Sequence, residues 1–220
     1  PKDMPLLRHA MRDLPGVEEI YEFDIPSARR YLVDRELTPM SGIGISGAVE
    51  YRNGIKVFLL DTPPKPVELP RQDLNMMSFD IEVYNPAGTP RPDRDPIIMI
   101  SLADNRGFKK VITWRDLKVK LDYVEVVGSE REMLNRFVEL VEERDVDFLL
   151  GYNTDLFDFP YMRERAKQLK VKLRLGRDGS EVITRKRRFA TATKVRGRVH
   201  IDVYTMVNFL ATIGTMRLIH

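Results

Sequence analysis

The chain has 220 residues, no cysteine, and a formal net charge of +3 from 36 Lys or Arg against 33 Asp or Glu. That length suffices for one sizeable core plus a smaller unit. The absence of cysteine excludes thiol chemistry, disulfides and cysteine-ligated zinc. No stretch reaches the run of about 18 apolar residues that a membrane helix needs.

Pro1-Lys2-Asp3-Met4 carries no signal peptide and no initiator Met, which is expected of a piece of a longer protein. Residues 1–14 read as a helix with Leu6, Leu7, Ala10, Met11 and Leu14 on one face, stopped by Gly16. Val17 to Phe23 reads as a strand. Asp24 and Pro26 open a second helix through Arg35. Ile43 to Glu50 and Ile55 to Leu60 flank Arg52-Asn53-Gly54, a hairpin signal. Asp61 to Asp73 holds Pro63, Pro64, Pro66 and Pro70, a stiff linker and the best domain boundary.

Beyond the linker, strands alternate with helices. Strands are predicted at 75–83, 97–103, 108–113 and 123–127. Ser129-Glu130-Arg131-Glu132 is a capping box. The helix it starts runs to about Arg144 and buries Met133, Phe137, Leu140 and Val141. Phe148 to Tyr152 reads as an apolar strand, followed by a helix from Pro160 to about Leu169. Strands near 181–184, 188–195 and 198–203 precede a last helix from about Tyr204. The element pattern by itself indicates an α/β fold.

Two acidic patterns carry the chemistry. In Ser78-Phe79-Asp80-Ile81-Glu82-Val83, strand periodicity projects Asp80 and Glu82 from one face and the apolar residues from the other. Paired carboxylates repel and are costly to bury, and a hard divalent cation removes that cost. Asp158, at the end of Asn153-Thr154-Asp155-Leu156-Phe157-Asp158, is placed to complete such a site. Taken singly, Asp-x-Glu is most often a solvated strand face, and Asn or Asp before Pro160 is an ordinary helix start. His9, His200 and His220 are too scattered for a His-based metal site, and His200 reads as a hydrogen-bonded structural residue.

Charge is unevenly spread. Residues 160–200 hold 14 Lys or Arg against Glu164, Asp178 and Glu181, a balance of +11, whereas the remainder balances at −8. Any one such run is commonly a solvated surface. Directly after a candidate metal site, it also supplies the neutralising charge a phosphodiester backbone needs. Arg185-Lys186-Arg187-Arg188 is its densest part.

The wording of these stretches resembles a known family. Phe79-Asp80-Ile81-Glu82 is similar to the first exonuclease motif of family B DNA polymerases. Gly151-Tyr152-Asn153-Thr154-Asp155-Leu156-Phe157-Asp158-Phe159-Pro160-Tyr161 is similar to the second. Tyr21 to Leu32, Pro96 to Ser101, Gly176 to Glu181 and Gly197 to Tyr204 resemble archaeal replicative members, while Gly42 to Leu69 matches least well.

The resemblance implies residues 1–70 as part of a small α+β polymerase N-terminal domain. Residues 71–220 are then a C-terminally incomplete ribonuclease H-like 3′–5′ exonuclease domain. It implies proofreading by two-metal hydrolysis of 3′-terminal nucleotides with Mg²⁺ or Mn²⁺. Asp80 would bridge the ions, Glu82 hold the nucleophile side and Asp158 the leaving-group side. Tyr152, Asn153 and Phe157 match positions that contact the terminal nucleotide.

Single-stranded 3′ ends and primer–template DNA are the implied substrates, with a sliding clamp as partner and a cytoplasmic, nucleoid-associated location. Pro1, Met4 and Arg30 match one wall of a pocket for template uracil, although Ser27 departs from the aromatic expected there. The family's third motif, Tyr-x-x-x-Asp, is missing. Tyr204-Thr205-Met206-Val207-Asn208 is the nearest pattern and ends in Asn. The fragment alone is therefore expected to be weak or inactive. A stand-alone 3′–5′ nuclease and an inactive DNA-binding paralogue are the alternatives.

Overall fold

The structure is a computed structural model that describes residues 4–52, 55–70, 72–86, 88–116, 118, 121–187 and 190–217; the side chains of 4, 5, 186, 187, 190, 213 and 215–217 are not among them. The chain divides into two compact units, Pro1–Gln72 and Asp73–His220.

In the first unit, α1 (Met4–Arg12) and α2 (Ser27–Asp34) precede four short strands: β1 (Gly42–Gly44), β2 (Gly47–Arg52), β3 (Ile55–Leu60) and β4 (Lys65–Val67). The strand predicted at 17–23 does not form; residues 17–21 are irregular and a turn follows. Val17, Ile20 and Phe23 recur every third residue, which a period-two strand cannot place on one face. Glu22 also adopts a left-handed φ of 57°. The predicted hairpin does form, with β2 and β3 antiparallel from Gly47↔Leu60 to Arg52↔Ile55. Its first arm is broken, because Ile43 belongs to β1, which pairs with β4 instead.

In the second unit a mixed six-stranded sheet has the order β12-β9-β5-β6-β7-β8. Its strands are β5 (Met76–Val83), β6 (Ile97–Asp104), β7 (Lys109–Thr113), β8 (Val124–Val126), β9 (Phe148–Gly151) and β12 (Val199–Asp202). β5, β6 and β7 run antiparallel, while β9 lies parallel to both β5 and β12. A separate hairpin joins β10 (Ile183–Arg187) to β11 (Ala190–Lys194). The helices are α3 (Glu130–Glu143), α4 (Asp158–Gln168) and α5 (Val203–Arg217).

The core lies on one face of this sheet. Met77, Phe79 and Ile81 of β5 are buried, as are Ile100 and Leu102 of β6 and Ile112 of β7. Met133, Leu134, Phe137, Leu140 and Val141 of α3 meet them, with Phe159 and Met162 of α4. The Phe79 ring stands 5.2 Å from Phe137 and 5.1 Å from Phe159, so one strand residue couples both helices. Such side chains contribute roughly 1.5–3 kcal/mol each by leaving water.

The capping box works with a shifted return bond. Glu132 N–H donates to Ser129 Oγ at 3.2 Å, and the Glu132 carboxylate accepts from Gly128 N–H at 2.9 Å rather than from Ser129. An ion pair then joins the two helices. Glu130 and Arg165 are both buried; Arg165 Nε donates to Glu130 Oε1 at 2.8 Å, and Ile97 N–H donates to the same oxygen at 2.9 Å. Tyr161 Oη donates to Asp95 O at 2.9 Å. These contacts hold α4, which starts at Asp158, against the sheet.

Candidate active site

Asp80 and Glu82 are exposed on the face of β5 opposite the core. Asp158 arrives from a different direction. β9 pairs with β5 only over Met76–Ser78, so the β9 side of β5 is uncovered beyond that point. Ile81 N–H, left without a strand partner there, donates to Asp158 Oδ1 at 3.2 Å. Gly151 lets the chain pass this close. A Cβ there would lie 2.2 Å from Thr154 Cγ2 and 3.0 Å from Phe79 O.

Asp158 is 2% exposed. Burial pushes its pKa up to about 6, and the negative charges of Asp80 and Asp202 push the same way; the Ile81 N–H opposes them. A carboxyl raised in this manner gains from any cation that approaches it.

Among the described residues, no three His, Asp or Glu side chains stand close enough together to hold a metal ion. The three carboxylates therefore do not converge as a closed ligand group. Asp158 is drawn into the plane of the sheet by a main-chain N–H, whereas Asp80 and Glu82 stand perpendicular to it. The fold brings Asp80 and Asp158 within each other's field.

The loop between β9 and α4 is tied down by residues the motif reading passed over. Asp202 Oδ1 accepts from Asn153 N–H at 3.0 Å and from Tyr204 N–H at 2.9 Å, and its Oδ2 accepts from Asp155 N–H at 3.0 Å. One buried carboxylate thus caps α5 and shapes the loop, with both oxygens occupied. Asn153 takes a left-handed φ of 63° to make this turn. Asp155 Oδ1 accepts from Thr193 N–H at 2.6 Å.

His200 is the structural residue expected. Burial lowers its pKa, so the ring is neutral at physiological pH. Its Nδ1 lies 3.5 Å from Asp155 Oδ1, and its Nε2 lies 2.9 Å from Thr154 Oγ1. A neutral ring with its proton on Nδ1 accepts the Thr154 hydroxyl at Nε2. The sequence reading places Asp202 inside a strand at 198–203 and two residues before a helix near Tyr204; the observed helix starts at Val203, which makes Asp202 its cap. Nothing local marked Asp155 or Thr154.

Of the predicted nucleotide contacts, Tyr152 is 64% exposed, with its ring 5.4 Å from Tyr204 in an edge-on pair. Phe157 is half-buried, 5.4 Å from Tyr161, and packs on the core. A groove of about 630 Å³ runs over the Asp80 face of the sheet, lined by Ser78, Ser101, Lys109, Tyr123 and Tyr152 among others.

Arg185 is exposed on β10. Arg188 and the side chains of Lys186 and Arg187 lie outside the described residues, as do Pro1 and the side chain of Met4. Arg30, in the first unit, is held by ion pairs to Glu22 and Asp34, the latter at 2.9 Å.

A family model for "DNA polymerase family B, exonuclease domain" matches residues 18–216. The chain belongs to family B of the DNA polymerases. It is 40% identical over 218 residues to a DNA polymerase of Pyrococcus glycovorans, covering 99% of this chain and 24% of that protein. A DNA polymerase of Thermococcus kodakarensis is 38% identical over the same length, with 11% of it covered. The chain thus spans about a quarter or less of the length of these relatives.

Among solved structures, the family B DNA polymerase of Pyrobaculum calidifontis superposes with a TM-score of 0.75 at 31% identity, over 94% of this chain and 26% of that one. The mixed sheet, with β5 paired antiparallel to β6 on one side and parallel to β9 on the other, is the ribonuclease H-like arrangement of this family's exonuclease domain. No helix among the described residues is long and apolar enough to cross a membrane.

Proposed function

We propose that this family B polymerase segment removes nucleotides one at a time from the 3′ end of DNA, as the proofreading part of a DNA-synthesising enzyme. The observation carrying this reading is the Asp80–Asp158 pair. Asp158, from a distant part of the chain, bonds the uncovered flank of β5 within the field of Asp80, and it is buried and short of positive charge.

Asp80, Glu82 and Asp158 do not form a closed ligand group, so Mg²⁺ or Mn²⁺, for which an all-oxygen donor set is suited, would be held by carboxylates that draw in around the ion. When bound, such ions supply an activated water and neutralise the departing 3′ oxygen. The chain's own residues do the positioning. Asp158 is held by Ile81 N–H and by the Arg165–Glu130 clamp on its helix. Tyr152 presents an exposed ring over which a terminal base stacks, and Asn153 and Phe157 border the same loop. DNA synthesis, primer–template binding, a sliding-clamp partner and a nucleoid-associated setting in the cytoplasm belong to this proposal for the longer protein.

The test is Mn²⁺ titration of the 220-residue chain, followed by thermal melting. The wild type is expected to gain stability with Mn²⁺, and Asp80→Asn and Asp158→Asn to gain much less. A labelled single strand incubated alongside should shorten weakly at most, and any shortening should be lost in both variants. Equal Mn²⁺ stabilisation of all three proteins, or digestion that persists equally in the variants, would overturn the assignment.

A further inference from the structure

Part of the positive surplus of residues 160–200 lines a second groove, of about 720 Å³, between α4 and residues 170–182. Arg163 and Lys167 of α4 stand on one bank; Lys170 and Lys172 stand on the other. All four are exposed, and none forms an ion pair among the described residues. By contrast, Arg165 on the same helix is buried and fully engaged with Glu130. Glu164 and Glu181 also border the groove, which leaves a local balance of two positive charges.

The local backbone explains this display. α4 ends at Gln168 with Leu169 as its C-cap; beyond it Val171 N–H donates to Ala166 O at 2.8 Å and Lys170 takes a left-handed φ of 56°. That is the usual helix-ending turn, with Lys where Gly is common. The chain then runs extended. Val171, Leu173 and Leu175 are buried, while Lys170, Lys172 and Arg174 alternate with them toward solvent. The groove floor is apolar, from Val171, Leu173 and Val182 beneath the cationic banks.

We propose that this groove is a second nucleic-acid contact, separate from the carboxylate pair, which grips a single-stranded phosphodiester backbone. The cations answer the phosphates, and the apolar floor accepts the faces of unstacked bases. A duplex keeps its bases stacked inside and would leave that floor unused. This contact rests on the proposal of a DNA-processing enzyme only for its setting; its chemistry is independent of hydrolysis.

The test is fluorescence anisotropy of a labelled oligothymidylate with the full 220-residue chain in EDTA, where hydrolysis is suppressed. The triple variant K167Q/K170Q/K172Q is compared with K167R/K170R/K172R and with the wild type. Loss of three phosphate contacts should weaken binding roughly tenfold near 0.1 M salt and flatten the log–log salt slope by about two units. The arginine variant should bind as the wild type does, and all proteins should melt cooperatively, because the three lysines are exposed. Because binding is read in EDTA without turnover, failure of the nuclease reading would leave this measurement intact. Unchanged affinity and slope in the glutamine variant would overturn the proposal. So would tighter binding of a duplex of equal length than of the single strand.

Discussion

The Asp158 carboxylate accepts the main-chain N–H of Ile81, 77 residues earlier in the chain, at 3.2 Å. That bond places a negative charge beside Asp80 and out of water, at a cost the fold carries by itself. Burial and the neighbouring carboxylates raise the Asp158 pKa to about 6, above its ordinary 3.8. A carboxyl raised on folding favours the native state below its unfolded pKa, and that contribution is lost as pH rises through the folded value. In EDTA, Asp158→Asn should therefore be more stable than the wild type at pH 7.5, by on the order of 1–2 kcal/mol. The advantage should vanish below about pH 4. Melting curves across pH 3–8 check this; a destabilised Asn variant at pH 7.5 would contradict it.

Arg165 and Glu130 form a buried ion pair that also serves Ile97 N–H and joins α3 to α4. Removing one partner strands the other charge. Arg165→Met is expected to cost about 3–5 kcal/mol in urea unfolding, and Arg165→Met combined with Glu130→Gln to recover a large part of it. Equal losses in the single and double variants would place the effect in packing rather than charge.

Gly151→Ala would set a methyl 2.2 Å from Thr154 Cγ2 and 3.0 Å from Phe79 O. Overpacking of this kind costs about 1–3 kcal/mol. Thr154→Ser removes the closer contact while keeping the hydroxyl that faces His200. The double variant should regain more than half the loss in chemical denaturation. Simple addition of the two single losses would show that Phe79 O, not Thr154, sets the limit.

Asp202→Asn keeps shape but turns one acceptor into a donor facing main-chain N–H groups at Asn153, Tyr204 or Asp155. A loss of about 1–3 kcal/mol is expected. Amide exchange of Asn153, Asp155 and Tyr204 should accelerate, while that of β6 and β7 stays slow. Uniform acceleration across the sheet would mean that Asp202 supports global rather than local stability.

How far the sequence could be read depended on whether the governing interaction was local. The α3 helix was legible because Ser129 and Glu132 cap it and its apolar residues recur on one stripe. β5 was legible because Phe79 and Ile81 alternate with Asp80 and Glu82. Both signals lie within a few residues. Val17 to Phe23 misled because apolar content was counted without its spacing, and because a strand also needs a partner. The first arm of the hairpin is shorter than predicted, since nothing near Ile43 announces that Pro66 of β4 will pair with it.

At the site, the acidic residues and the shared face of Asp80 and Glu82 are legible in the strand periodicity, but the direction of Asp158 is not. Whether Asp158 stands in the sheet plane depends on where β9 stops pairing with β5. That is a property of two strands whose sequences are separated by three others. Asp202 was hidden for a similar reason. Its four acceptor bonds go to residues on both sides of the β9–β12 pair, and only the last two lie next to it in sequence.

The brevity of the β5–β9 overlap has a kinetic meaning. Three residues of pairing separate an ordinary interior strand from one with a bare flank, and that flank is created only when the parallel crossover through α3 has closed. Neither a peptide containing Asp80 nor one containing Asp158 holds any part of it. Whatever bridges the two acids thus recognises a completed topology rather than a stretch of chain. Its arrival would serve as a clock for the last long-range closure in folding, slower than the hairpin β5–β6–β7 that forms without it.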